Sequence, residues 1–267
     1  MLHSKQFLVL VALITFLSSS SIHSITAKDA HKIGMLVWKN EANQRVDLLV
    51  FWNEHEEFPS LGIGHYIWLP QSIDTRYTQK FPQLCNYLSQ QGVELPQWLS
   101  QAITIGAPWA SRAEFMKDYQ RTGELRRLLH ANIDLQIQFM LDQLAQQIPL
   151  IIQAVPRKQK KQVLRRIELL QATPLGTYAL VDYLNFKGDG LNPKEESNGQ
   201  RWGLLQVLLD MPNKLTKENV TQAFAVAAAK TLVTLIENSA PEYKRVKYLN
   251  NWIKRVSTYA NEKLFGK

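Results

Sequence analysis

A single cysteine, Cys85, occurs in 267 residues, so no disulfide can form within the chain and its stability must come from a packed core. Metal-ligand spacing is missing too. His55 sits among acids in "WNEHEEFPS", but nothing of the H-E-x-x-H kind is present, and neither a metal nor another cofactor is expected. There is no internal repeat, and the serines at 18–21 are the only low-complexity piece. The 45% apolar content excludes a wholly disordered chain and is enough for one sizeable domain.

The longest early apolar run, Phe7 to Leu17, is far short of the roughly 20 residues that a spanning helix needs. Preceded by Lys5 and followed by small polar residues, it has the form of a secretory signal peptide over residues 1–27, with cleavage after Ser24 or Ala27. No cysteine directly follows it, which argues against a lipid anchor. The expectation is a periplasmic or secreted monomer without stable membrane insertion. The formal net charge of +8 suits an acidic polymer such as cell-wall material, and it equally serves solubility. Nucleic acid is not the expected partner.

Most of the chain reads as helix. Residues 125–147 lie between Gly123 and Pro149 with apolar positions in helical period, predicting one long linking helix ahead of a helical region over 148–267. Further helices are predicted near 157–171, 174–186, 200–210 and 216–237. "SRAE" from Ser111 and "SAPE" from Ser239 fit the capping box, and the second would open a helix with Val246, Leu249, Ile253, Val256 and Ala260 on one face. Between about 46 and 69 the character changes: "VDLLVFW" and "LGIGHYIW" are aromatic and β-branched, with a polar connection between them. The fold class is α+β, mostly α, with a small sheet. Gly62 and Gly64 inside the second segment mark a bend or a close approach.

Chemistry concentrates around that sheet. "IGMLVWKNE" predicts a short helix ending at Glu41. The negative end of the helix dipole and loss of solvent against Trp38 or the sheet would both favour a carboxyl that carries its proton, as a general acid must. Glu54 and Glu56 share one face of an extended chain, so either could supply the second carboxylate of a glycosidase pair.

The order Glu41, then Glu54 six positions before Ser60, then "SLGIGH", resembles the phage-type lysozymes. Their pattern is a Glu ending the first helix, an Asp in a small sheet, and a T-x-G-x-G-H strand. The resemblance implies a bilobal fold with the sheet in the first lobe, Glu41 as the acid, Glu54 or Glu56 as the second carboxylate, and Ser60 beside the attacking water. It covers about residues 33–68; residues 70–122 match nothing in that pattern. "ALVDYLNFKGDG" and "NNWIKRVSTYANE" are similar in character to a cleft-closing helix and a basic last helix. His65, Trp52, Asn185 and Trp202 are the candidate substrate contacts, with Lys187 and Asp189 near Asn185. The implied activity is cleavage of β-1,4 links in peptidoglycan. A lytic transglycosylase using Glu41 alone, a chitosanase, a non-catalytic wall binder and a basic membrane-surface protein are the alternatives.

Overall fold

The computed structural model describes residues 25–71, 73, 77–239 and 246–266. Of the proposed signal segment 1–27, with cleavage after Ser24 or Ala27, residues 1–24 lie outside the described ones. Ile25 packs on the core. The Thr26 hydroxyl accepts from the Asp29 N–H at 3.1 Å and donates to the Asp29 carboxylate at 2.8 Å, capping α1 (Ala27–Ala42). This helix stops where Asn43 takes a left-handed conformation, φ 50°, and returns its N–H to Lys39.

The sheet is smaller than its sequence span. Residues Val46–Leu49 form a 3-10 turn, and three two-residue strands follow: β1 (Val50–Phe51), β2 (Ser60–Leu61) and β3 (Tyr66–Ile67). They pair antiparallel in the order β1-β2-β3, with Phe51 opposite Ser60 and Ser60 opposite Ile67. "LGIGHYIW" is therefore not one strand: residues 62–65 are a tight turn closed by the His65 N–H on the Gly62 carbonyl, at 3.1 Å. Strands this short are marginal by themselves. Leu61, Ile63 and Trp68, all buried, hold them to the helices.

Helices make up the rest: α2 (Phe81–Gln90), α3 (Gln97–Ala102), α4 (Arg112–Lys117), α5 (Tyr119–Ala131), α6 (Ile133–Ala154), α7 (Lys160–Gln171), α8 (Pro174–Lys187), α9 (Leu204–Asp210), α10 (Val220–Asn238) and α11 (Val246–Ser257). The class is α+β, mostly α. Ser111 caps α4 as expected, its hydroxyl accepting from the Glu114 N–H while the Glu114 carboxylate reaches back to the Ala110 N–H. The second capping box falls partly on residues 240–245, outside the described ones, and Ser239 instead donates to the Leu235 carbonyl at the end of α10.

Two predictions about the linking helix are corrected. Residues 125–147 span two helices, α5 and α6, with Asn132 between them at φ −120°, ψ 38°. The break is held by Gln136, fully buried, whose amide donates to the Leu129 and Asn132 carbonyls while its oxygen accepts from the Ile63 N–H at 3.0 Å. Pro149 does not end the helix either. It lies inside α6, where burial of Ile151 and Val155 beyond it outweighs one lost hydrogen bond.

α8 is the central helix, packing against α1, α6, α7, α9 and α10, with nearly every residue from Leu175 to Leu184 buried. The buried side chains form one continuous cluster across sheet and helices. Gln136→Leu should strand the Ile63 amide and the two carbonyls at the helix break. Unfolding in urea should show a loss of about 3 kcal/mol, the scale of orphaned buried polar groups. An unchanged midpoint would show that the break does not depend on this amide.

Candidate functional site

Glu41 lies in the last turn of α1, one residue before its end, with its side chain 16% exposed. Its Oε1 accepts two hydrogen bonds, from Asn185 Nδ2 at 3.0 Å and from the Arg255 guanidinium at 2.7 Å. Oε2 is bonded to none of the described residues. One oxygen is thus gripped and the other is free. Arg255 is a cation beside Glu41 that no local sequence pattern revealed.

Arg255 is itself fixed from α8. Asp182 and Asn185, three residues apart, share one face of that helix. Asp182, fully buried, takes Nε and Nη2 of Arg255, both at 2.8 Å, the Tyr259 hydroxyl at 2.6 Å and Asn40 Nδ2 at 3.1 Å. Burial alone would lower the Arg255 pKa, but Asp182 and Glu41 outweigh it and hold the guanidinium well above its ordinary value. Burial, reinforced by the Asp182 charge, pushes the Tyr259 phenol far upward. Asp182 has no hydrogen-bonding capacity left for a ligand and no path to one.

The hairpin turn supplies the opposite wall. Asn185 Nδ2 also donates to the Gly64 carbonyl at 3.1 Å, so one amide ties the turn to Glu41. A Cβ at Gly64 would lie 2.6 Å from Tyr66 Cζ and 2.8 Å from Asn185 Oδ1, so only glycine permits this approach. Gly62 serves differently: its φ of +75° is strained for a side chain, and a Cβ would meet the Gln136 oxygen at 2.5 Å. Tyr66 is buried beneath, its hydroxyl without a partner among the described residues. Burial first, and then the negative field of Glu41, push its pKa up.

The other candidates separate. Glu54 is 71% exposed and faces His55 at 3.4 Å, and Glu56 is exposed on the same loop. Ser60 is buried between β1 and β3. His65 is engaged in holding the turn, through the Leu48 carbonyl at 3.1 Å and a ring stacked on Phe51. Trp52 cannot stack on a sugar. It is 2% exposed, its indole donates to the Glu56 carbonyl, and Phe115 meets it edge-on. Trp202 lines a separate cavity. Lys187 lies over the rings of Trp252 and Phe186, at 3.5 and 4.1 Å, and Asp189 closes a local turn onto the Leu191 N–H.

Asn40, Tyr66, Asp182 and Arg255 were not picked out from the sequence. One signal was available for Asp182: a charged residue in the middle of the apolar run "YALVDYL" must find a partner when buried. No group of three His, Cys, Asp or Glu among the described residues could hold a metal ion. Comparison with known protein families, curated proteins and solved structures finds no match.

Arg255→Met should leave Asp182 buried without its cation and lower stability by about 3–5 kcal/mol, measured by chemical unfolding. Adding Asp182→Leu should recover part of that loss, because the stranded charge is gone. Additive losses in the double variant would show that the pair does not act as a unit.

Proposed function

We propose that this protein is an exported enzyme that cleaves the β-1,4 glycosidic bonds of peptidoglycan, with Glu41 as the general acid. The observation that carries the reading is the asymmetric grip on Glu41. Asn185 and Arg255 hold Oε1, and Oε2 remains available on a partly open side chain between helix and hairpin. A proton leaves Oε2 for the glycosidic oxygen as the bond from that oxygen to the sugar's anomeric carbon breaks. The oxocarbenium-like sugar is then captured by water, which loses its proton to Glu54 or Glu56. The motif order around Glu41 and "SLGIGH" and the basic charge support the wall glycan as substrate, and the apolar leader supports periplasmic or secreted localisation.

A second reading, a lytic transglycosylase, draws support from the exposure of Glu54 and Glu56. Glu41 then works alone: a hydroxyl of the sugar itself captures the anomeric carbon in place of water, and its proton returns to the Glu41 carboxylate.

Glu41→Gln removes the proton donor, and clearing of purified wall should fall about a hundredfold or more while the circular dichroism spectrum is retained. Full activity in this folded variant would eliminate the assignment. Mass spectrometry of the digest separates the two routes: reducing ends for water, anhydro ends for internal capture. With hydrolysis, one of Glu54→Gln and Glu56→Gln should be strongly impaired; with internal capture, both should remain active.

A further inference from the structure

A cavity of about 480 Å³, within the usual range of small-ligand sites, lies between residues 197–202, α9 and α10. It shares no residue with the Glu41 network. Its rim is built rather than incidental. Ser197 and Gln200 bridge each other across a tight turn, and the Ser197 hydroxyl and Asn198 amide both donate to the Asn238 carbonyl, at 2.8 and 3.0 Å. Asn238 Nδ2 returns a bond to Gln200 Oε1 at 3.3 Å. The Tyr183 hydroxyl on the Trp202 carbonyl, at 2.9 Å, anchors the turn from below.

The lining narrows the ligand class. Its two cations each face an acid, Lys230 with Asp210 at 2.8 Å and Arg201 with Glu196 at 3.9 Å, so the cavity offers little net charge to an ion. What it does offer is mixed. Trp202, Gln200, Asn238 and Thr234 line it with side chains that can donate or accept hydrogen bonds, and Gln206 Oε1, buried, has no partner among the described residues. A ligand matching both donors and acceptors beside a tryptophan is neutral, rich in hydroxyl or amide groups, and has an apolar face.

We propose that this cavity is a second, non-catalytic site that binds a neutral pyranose ring of the N-acetylhexosamine type, with Trp202 as the aromatic contact. That the ring is an amino sugar of the wall rests on the function proposed above; the match to a neutral sugar rests on the cavity alone. Such a site would hold one stretch of glycan while another occupies the cleft at Glu41.

The test uses the full domain carrying Glu41→Gln, titrated with an N-acetylglucosamine trimer by calorimetry and by the indole N–H resonances in NMR. Saturable binding that shifts the Trp202 indole signal is expected, and Trp202→Ala should weaken it about tenfold or more. Thr234→Trp, which fills the cavity from α10 and leaves Trp202 in place, should weaken it equally, and this guards against a folding defect in the first variant. Binding unchanged in both variants, or no binding in the parent, would overturn the proposal. Failure of the wild type to clear wall, with trimer binding at Trp202 intact, would sink the Glu41 reading and leave this one standing.

Discussion

The buried pair of Arg255 and Asp182 is the interaction on which the site depends. Two charges taken out of water are tolerated only when their hydrogen bonds are met. Here four donors converge on one carboxylate, from α1, from α11 and from the turn after it. Of the guanidinium donors that remain, the second Nη2 hydrogen goes to Glu41. The geometry of Glu41 is thus set by a residue more than two hundred positions away. The pair also fixes the last helix, which has only one fully buried side chain of its own, Val256.

The hairpin is secured by the same kind of device. Three two-residue strands make too few ladder bonds to specify a position, so side-chain amides act as clamps. Gln136 takes the Ile63 N–H from one side and Asn185 takes the Gly64 carbonyl from the other. Both reach main-chain atoms that only a glycine-containing turn exposes at close range. Gln136 also interrupts the helix it sits on, since its amide serves carbonyls at the junction of α5 and α6. A helix break and a turn more than sixty residues upstream are therefore one structural event.

Burial separates residues that look equivalent in sequence. Trp52 and Trp202 both have polar neighbours in the chain, yet Trp52 fills the core against Phe115 and Trp202 borders a polar cavity. Glu41 and Glu54 are both carboxylates near the sheet. One is gripped by a cation and an amide, and the other stands in solvent beside His55. Net charge and composition are blind to that difference, because it arises from elements that meet only in the folded chain.

Local physics was enough to read the helices near 157–171, 174–186 and 216–237, the cap at Ser111, the small sheet, and the pairing of special glycines with a close approach. Each depends on period, capping chemistry or backbone freedom within a few residues. Of the site, Glu41 and Asn185 were legible, as polar groups at the ends of apolar helices. The break at Asn132, the tight turn inside "LGIGHYIW", the passage of Pro149 through a helix and the roles of Arg255, Asp182 and Tyr66 were decided by tertiary structure. Their causes are partners distant in sequence: a buried amide, a buried charge and a close ring. A pattern that repeats every two or 3.6 residues carries no information about which distant side chain will satisfy a buried polar atom.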